Sequence, residues 1–128
     1  MDLEDGLRPG AVLLADDDEF VRAVSRDILQ AAGYTVMAAA DGADAVALFR
    51  TRPEAFRIAV LDFAMPHMDG EQTLYELRRL RPNLPVLVCT GYVDTSAAER
   101  LTSHGVPILQ KPFPPGVLLN AVARLLGR

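Results

Sequence analysis

Apolar positions along this chain come in short, nearly continuous blocks. Ala11 to Ala15, Tyr34 to Ala39, Phe56 to Leu61, Val86 to Cys89 and Val106 to Leu109 are rich in Val, Ile, Leu and Ala, and within Phe56 to Leu61 only Arg57 is polar. Runs of this length without polar alternation are what strands buried on both faces of a parallel sheet require. Between them the apolar residues change to helical spacing. Phe20, Val21, Val24, Ile28 and Leu29 fall on one face, as do Ala45, Val46, Leu48 and Phe49, then Leu74, Leu77 and Leu80, and last Val117, Leu118, Ala121, Val122, Leu125 and Leu126. The interval Asp94 to His104 also reads as a helix, but Leu101 is its one large apolar residue. It is expected to be the most loosely held helix, because little apolar area ties it down.

The breaks between these segments carry their own signals. Gly33 and Gly105 stop helices, Pro53, Pro82 and Pro85 end others, and Pro114 and Pro115 suit the first turn of the last one. Asp41 is placed as an N-cap, and Asp69 with Gln72 has the spacing of a capping box. Strand and helix thus alternate about five times. That alternation predicts a doubly wound α/β domain, its parallel sheet covered by helices on both faces through right-handed crossovers. Residues 1–10, which mix charges with Gly and Pro, read as an N-terminal tail ahead of a domain at 11–128.

If the strands are parallel, the residues that stop them share one rim of the sheet, where open α/β domains place their chemistry. Strand one ends on Asp16 and Asp17, strand three on Asp62, strand four on Thr90 and strand five on Lys111. Two carboxylates about 4 Å apart repel by about 4 kcal/mol at an effective dielectric near 20, so crowded acids either stay partly protonated or hold a cation. Oxygen ligands without His or Cys favour a hard ion, and Mg²⁺ is the expected one. A carboxylate beside Mg²⁺, a hydroxyl and a lysine is a set suited to phosphoryl transfer, with Asp62 as nucleophile.

Composition narrows the classes. At 128 residues the chain is one domain's worth, and a second catalytic or DNA-binding domain does not fit. The net charge of -4 and pI near 5.1 give no footprint for direct nucleic acid binding. No apolar run approaches the ~20 residues of a membrane span, and the N-terminus has no signal-peptide pattern, so a soluble, cytoplasmic protein is expected. The single Cys89 lies inside an apolar run and is expected to pack as a small hydrophobe.

Leu14-Ala15-Asp16-Asp17-Asp18, Leu61-Asp62-Phe63-Ala64-Met65-Pro66 with Met68-Asp69-Gly70, Cys89-Thr90-Gly91 and Gln110-Lys111-Pro112-Phe113 together resemble the motifs of response-regulator receiver domains of two-component signalling. The resemblance runs from about Ala11 to the C-terminus. It implies a flavodoxin-like sheet of five strands in the order 2-1-3-4-5. It also implies that Asp62 accepts the phosphoryl group, that Asp17 binds Mg²⁺ directly and Asp16 through water, and that the backbone carbonyl of Ala64 completes the protein ligands. Lys111, before a cis Pro112, would pair with the phosphoryl group, and the Thr90 hydroxyl would move to bond it. That movement would bias the helix beginning near Asp94. The implied partners are a histidine kinase or histidine phosphotransfer protein as donor and a downstream protein that reads the face of helix 4, strand 5 and helix 5. The chain would be a monomer or weak homodimer in a phosphorelay, a self-phosphorylating switch rather than a turnover enzyme.

Some positions depart from the family pattern. Ile108 stands where many receivers carry an aromatic residue coupled to the threonine, and Ala64 and Tyr92 lie where polar side chains help position a hydrolytic water. Slow loss of phosphate is therefore expected. Two other readings compete: a binding-only pseudo-receiver, and a haloacid-dehalogenase-like phosphatase built on Asp16-Asp17-Asp18. The phosphatase lacks an acid after Lys111, whereas the pseudo-receiver typically loses one of the site residues, all of which are present. Asp18 and Glu19 read as ordinary first-turn acids, Met65 and Met68 as loop packing, and Arg78, Arg79 and Arg81 as a solvated basic face.

Overall fold

The computed structural model describes residues 10–92 and 94–127. Apart from Gly10, the segment read as a tail lies outside the described residues. The elements in chain order are β1 (Ala11–Ala15), α1 (Glu19–Ala31), β2 (Thr35–Ala39), α2 (Gly42–Thr51), a 3₁₀ turn (Pro53–Ala55), β3 (Phe56–Asp62), α3 (Gly70–Leu80), β4 (Val86–Thr90), α4 (Thr95–Ser103), β5 (Ile108–Gln110) and α5 (Pro115–Leu125). All four pairings are parallel, in the order β2-β1-β3-β4-β5. The chain is a flavodoxin-like α/β domain.

Side chains alternate across the sheet, so each strand feeds two cores. Leu13, Ala15, Ala59, Leu61 and Val88 face one side and pack with Phe49, Leu74, Leu77 and Leu101 from α2, α3 and α4. Val12, Leu14, Ile58, Val60, Leu87 and Cys89 face the other, against Leu29 of α1 and Leu118 and Val122 of α5. Four of the five helices begin on an aspartate: Asp18, Asp41, Asp69 and Asp94 accept from the backbone N–H groups of Val21, Asp44, Gln72 and Ala97. Each such cap stabilises its helix by about 1 kcal/mol. The Asp69–Gln72 capping box is complete in both directions.

Some details differ from the sequence reading. Strand five pairs over Ile108–Gln110 rather than Val106 to Leu109, because Val106 N–H donates to Leu101 and pairing with β4 begins at Ile108. Phe20 (76% exposed), Val24 and Leu80 do not enter the core; α1 buries Ser25 and Leu29 instead, and α3 buries Leu74 and Leu77. Arg78 and Arg81 are tie points rather than members of a solvated face. Arg78 donates to the carbonyls of Leu84 and His104, and Arg81 to those of Pro53 and Phe56. Helix α4 buries just Ala97 and Leu101, in line with its poor apolar content.

Candidate functional site

Parallel pairing brings the carboxyl ends of β1, β3, β4 and β5 to one edge, and the register sets how their last residues align. Ala15 pairs with Leu61, Asp62 with Cys89, and Thr90 with Gln110, so Asp16, Asp62, Thr90 and Lys111 all fall at or just past the last rung of the ladder. Carboxylate oxygens of Asp16, Asp17 and Asp62 lie within 4.8 Å of one another. Lys111 Nζ donates to Asp16 Oδ2 and to Asp62 Oδ1, each at 3.0 Å. Four charged groups from three strand ends thus converge.

Local bonds fix Asp16 and the backbone around Asp62. The Asp16 side chain accepts from the N–H of Asp18 at 2.9 Å, its own N–H donates to Ala39, and its carbonyl accepts from Arg22 Nη1 at 2.8 Å. Asp18, read from the sequence as a first-turn acid, is the N-cap of α1, and Glu19 is the acid in its first turn. Beyond Asp62, Phe63 N–H donates to Cys89, and Gly70 N–H returns to the Phe63 carbonyl at 2.7 Å. A Cβ at Gly70 would sit 2.6 Å from the Asp62 carbonyl oxygen and 2.8 Å from Phe63 Cα. The start of α3 therefore packs directly on the backbone of Asp62, a closeness that only glycine permits. This role was not read from the sequence, where a glycine next to a capped helix start is its one visible signal.

The Thr90 hydroxyl bonds within its own loop rather than to the charged cluster. The Thr90 hydroxyl is buried at the end of β4, where it donates to the Tyr92 carbonyl at 2.6 Å and accepts from Tyr92 N–H at 3.0 Å. Its backbone carbonyl accepts from Lys111 N–H at 2.8 Å, which ties β4 to the lysine. Ala64 is exposed in the β3–α3 loop, two residues past Asp62. Lys111 precedes a cis Pro112.

Electrostatics follow from the crowding. Burial, with Asp62 at 8% exposure, pushes its carboxyl up to about 6, and the charges of Asp16 and Asp17 add to the rise while Lys111 opposes it. Burial disfavours the Lys111 ammonium, yet its hydrogen bonds to Asp16 and Asp62 outweigh that and hold its pKa above the ordinary lysine value. Three carboxylates against one ammonium leave two negative charges when all are ionised. An oxygen-only donor set carrying that charge fits a hard divalent cation such as Mg²⁺. Cys89, also at this edge, is buried and its thiol is pushed up to about 12, so it offers no nucleophile.

Comparison with known proteins agrees with this arrangement. Residues 12–123 match the response regulator receiver domain family. The chain is 34% identical over 118 residues to the sensor kinase CckA of Brucella abortus, covering 91% of this chain and 12% of that protein. It is 40% identical over 115 residues to the response regulator FleR of Pseudomonas aeruginosa, covering 88% and 24%. The chain therefore spans less than a quarter of either relative's length. Among solved structures, the chemotaxis protein CheY4 of Vibrio cholerae superposes with a TM-score of 0.83 at 30% identity, covering 91% of this chain and 98% of that one. The CheX–CheY–BeF₃–Mg²⁺ complex of Borrelia burgdorferi gives 0.86 at 25% identity, covering 95% and 92%. The match across nearly every element that builds this edge shows that the chain belongs to the response-regulator receiver domain family of two-component systems.

Proposed function

We propose that the domain at residues 11–128 is a phospho-accepting receiver in which Asp62 takes a phosphoryl group from a histidine kinase or histidine phosphotransfer protein. The observation that carries this reading is the convergence of Asp16, Asp17, Asp62 and Lys111 at one sheet edge. With its carboxyl near 6, Asp62 is mostly ionised at neutral pH and is available as a nucleophile. A carboxylate oxygen attacks the phosphorus of the donor phosphohistidine and the P–N bond breaks. The electron pair stays on nitrogen, which leaves as neutral imidazole when the other ring nitrogen already carries a proton. Lys111, which already spans Asp16 and Asp62, pairs with the incoming phosphoryl oxygens. Asp17 directly, Asp16 through water, Asp62 and the Ala64 carbonyl would hold Mg²⁺. When bound, Mg²⁺ supplies charge neutralisation on the carboxylates and on the transferring group. A relative whose complex contains BeF₃ and Mg²⁺ supports the same chemistry here.

The Thr90 hydroxyl turns from the Tyr92 carbonyl toward a phosphoryl oxygen in this reading. The β4–α4 loop loses a bond as it does so, and the face of α4, β5 and α5 changes for a downstream partner to read. Ile108 is half-buried on β5 and supplies no aromatic ring, so the movement would run through the loop. The protein acts as a cytoplasmic switch rather than a turnover enzyme, as a monomer or weak homodimer without direct nucleic acid contact. Exposed Ala64 carries no polar group to orient water, and Tyr92, two residues past Thr90 and 79% exposed, offers a ring to shield the site. Phosphate loss is therefore slow, and a half-life of only seconds in purified protein with Mg²⁺ would refute that point.

Intact-mass analysis after acetyl phosphate treatment tests the assignment. Wild type is expected to gain one phosphoryl group when Mg²⁺ is present, and Asp62→Asn none. A gain that persists in Asp62→Asn would remove Asp62 as the acceptor, and no gain in wild type would favour a binding-only pseudo-receiver.

A further inference from the structure

Helix α4 buries little apolar surface, yet its placement is well defined by polar bonds to α3. Glu71, 7% exposed and next to Gly70, accepts two hydrogen bonds from Arg100 of α4, from Nε at 2.7 Å and Nη2 at 2.9 Å. The Tyr75 hydroxyl donates to the same carboxylate at 2.8 Å, and the Tyr75 ring meets His104 edge-on at a centroid separation of 5.6 Å. Arg78, one turn further along α3, donates to the His104 carbonyl at 2.7 Å. Thus α3 holds the middle and the C-terminal end of α4. The other end hangs on the loop that Thr90 grips through Tyr92, with Asp94 capping the first turn.

The two attachments answer to different parts of the acidic edge. The start of α3 is pinned to the Asp62 backbone through Gly70, so Glu71 is a fixed point relative to the site. The loop into α4 follows Thr90. If Thr90 turns toward Asp62, the start of α4 shifts while Glu71 stays, and a two-pronged guanidinium–carboxylate pair tolerates little displacement. We propose that Glu71 and Arg100 form a clamp that holds α4 in its resting position and opposes the switch, an inference that rests on the phosphoacceptor reading above. The clamp is a positioning device and touches no reacting atom. The Arg100 guanidinium holds the Glu71 carboxyl below its ordinary value despite burial, with help from the Tyr75 hydroxyl, as a formed ion pair requires.

Glu71→Gln, Arg100→Gln, the double variant and Arg100→Lys would be compared with wild type by two measurements. The first is amide hydrogen exchange of residues 95–103 in unmodified protein, with α2 as internal reference. The second is the beryllofluoride concentration, at fixed Mg²⁺, that half-saturates the change in amide NMR shifts. Because Arg100 is half exposed, each single variant is expected to speed α4 exchange by about 3- to 10-fold. The double variant should be no faster than the singles, Arg100→Lys should be intermediate, and α2 should be unaffected. Half-saturation should fall by a similar factor. Unchanged α4 exchange, or a double variant whose effect is the product of the singles, overturns the clamp. Faster exchange with unmoved half-saturation marks a static brace and overturns its part in the switch. Wild-type protein that takes up no beryllofluoride overturns the phosphoacceptor reading itself, whatever the exchange arm gives.

Discussion

Replacing Asp62 by Asn should make the metal-free protein more stable at neutral pH, although it removes a side chain at the centre of the site. Asp62 is buried beside Asp16 and Asp17, and its carboxyl is raised from 3.8 to about 6. The native state therefore binds this proton more tightly than the unfolded chain does. Stability contributed by the protonated acid is fully present below about pH 4 and is lost as pH rises to about 6. A rise of about two pH units corresponds to about 3 kcal/mol, which solvent at the open rim and the retained amide contact to Lys111 reduce to about 1–2 kcal/mol. For a domain of this size that is a rise in Tm of about 3–8 °C. Thermal and urea unfolding of both proteins in a chelator at about pH 7.5 and about pH 4.5 would measure it. The variant should be more stable at the higher pH, and the gain should shrink at the lower. Added Mg²⁺ should narrow the gap by stabilising wild type, because a ligand bound by the native state alone adds to its stability. A variant no more stable than wild type at about pH 7.5 without metal, or a gain of equal size at both pH values, would refute the electrostatic argument.

Other consequences follow from the same contacts. Gly70→Ala places a Cβ against backbone atoms of Asp62 and Phe63, which cannot swing aside as a flexible side chain would. It should cost about 2–4 kcal/mol in urea unfolding and weaken Mg²⁺ binding. Lys111→Gln removes the hydrogen-bonded cation that opposes the rise at Asp62, so the Asp62 carboxyl should titrate above about 6 when followed by carbon NMR. Cys89 should resist alkylation in the folded protein at about pH 8 and react once urea unfolds the chain, since burial pushes its thiol up to about 12. Rapid alkylation under native conditions would place Cys89 outside the core.

Strands β1, β3 and β4 were legible because each is a short block of mostly Val, Ile, Leu and Ala buried on both faces, whereas the edge strands β2 and β5, partly exposed, were legible from their apolar content and flanking breaks. The caps at Asp41 and Asp69 were legible because a cap is satisfied within three residues of itself. Helix faces were read less well. Phe20, Val24 and Leu80 fit the spacing of a buried stripe, but the sheet covers too narrow an arc of α1 and α3 to reach them. Arg78 and Arg81 were misread because most of what they bind, the carbonyls of Pro53, Phe56 and His104, lies 25 to 28 residues away along the chain.

By itself the sequence determined the alternation of strand and helix, hence the parallel sheet, and so which polar residues stop strands at a common edge. Tertiary structure decided what those residues do to one another. The separation of 3.0 Å from Lys111 to both Asp16 and Asp62 spans 95 and 49 residues, and no local pattern encodes it. The Glu71–Arg100 pair and the contact of Gly70 with the Asp62 backbone are of the same kind. Periodicity and capping are short-range properties of a chain, whereas the charge state of a carboxylate depends on what the fold packs around it.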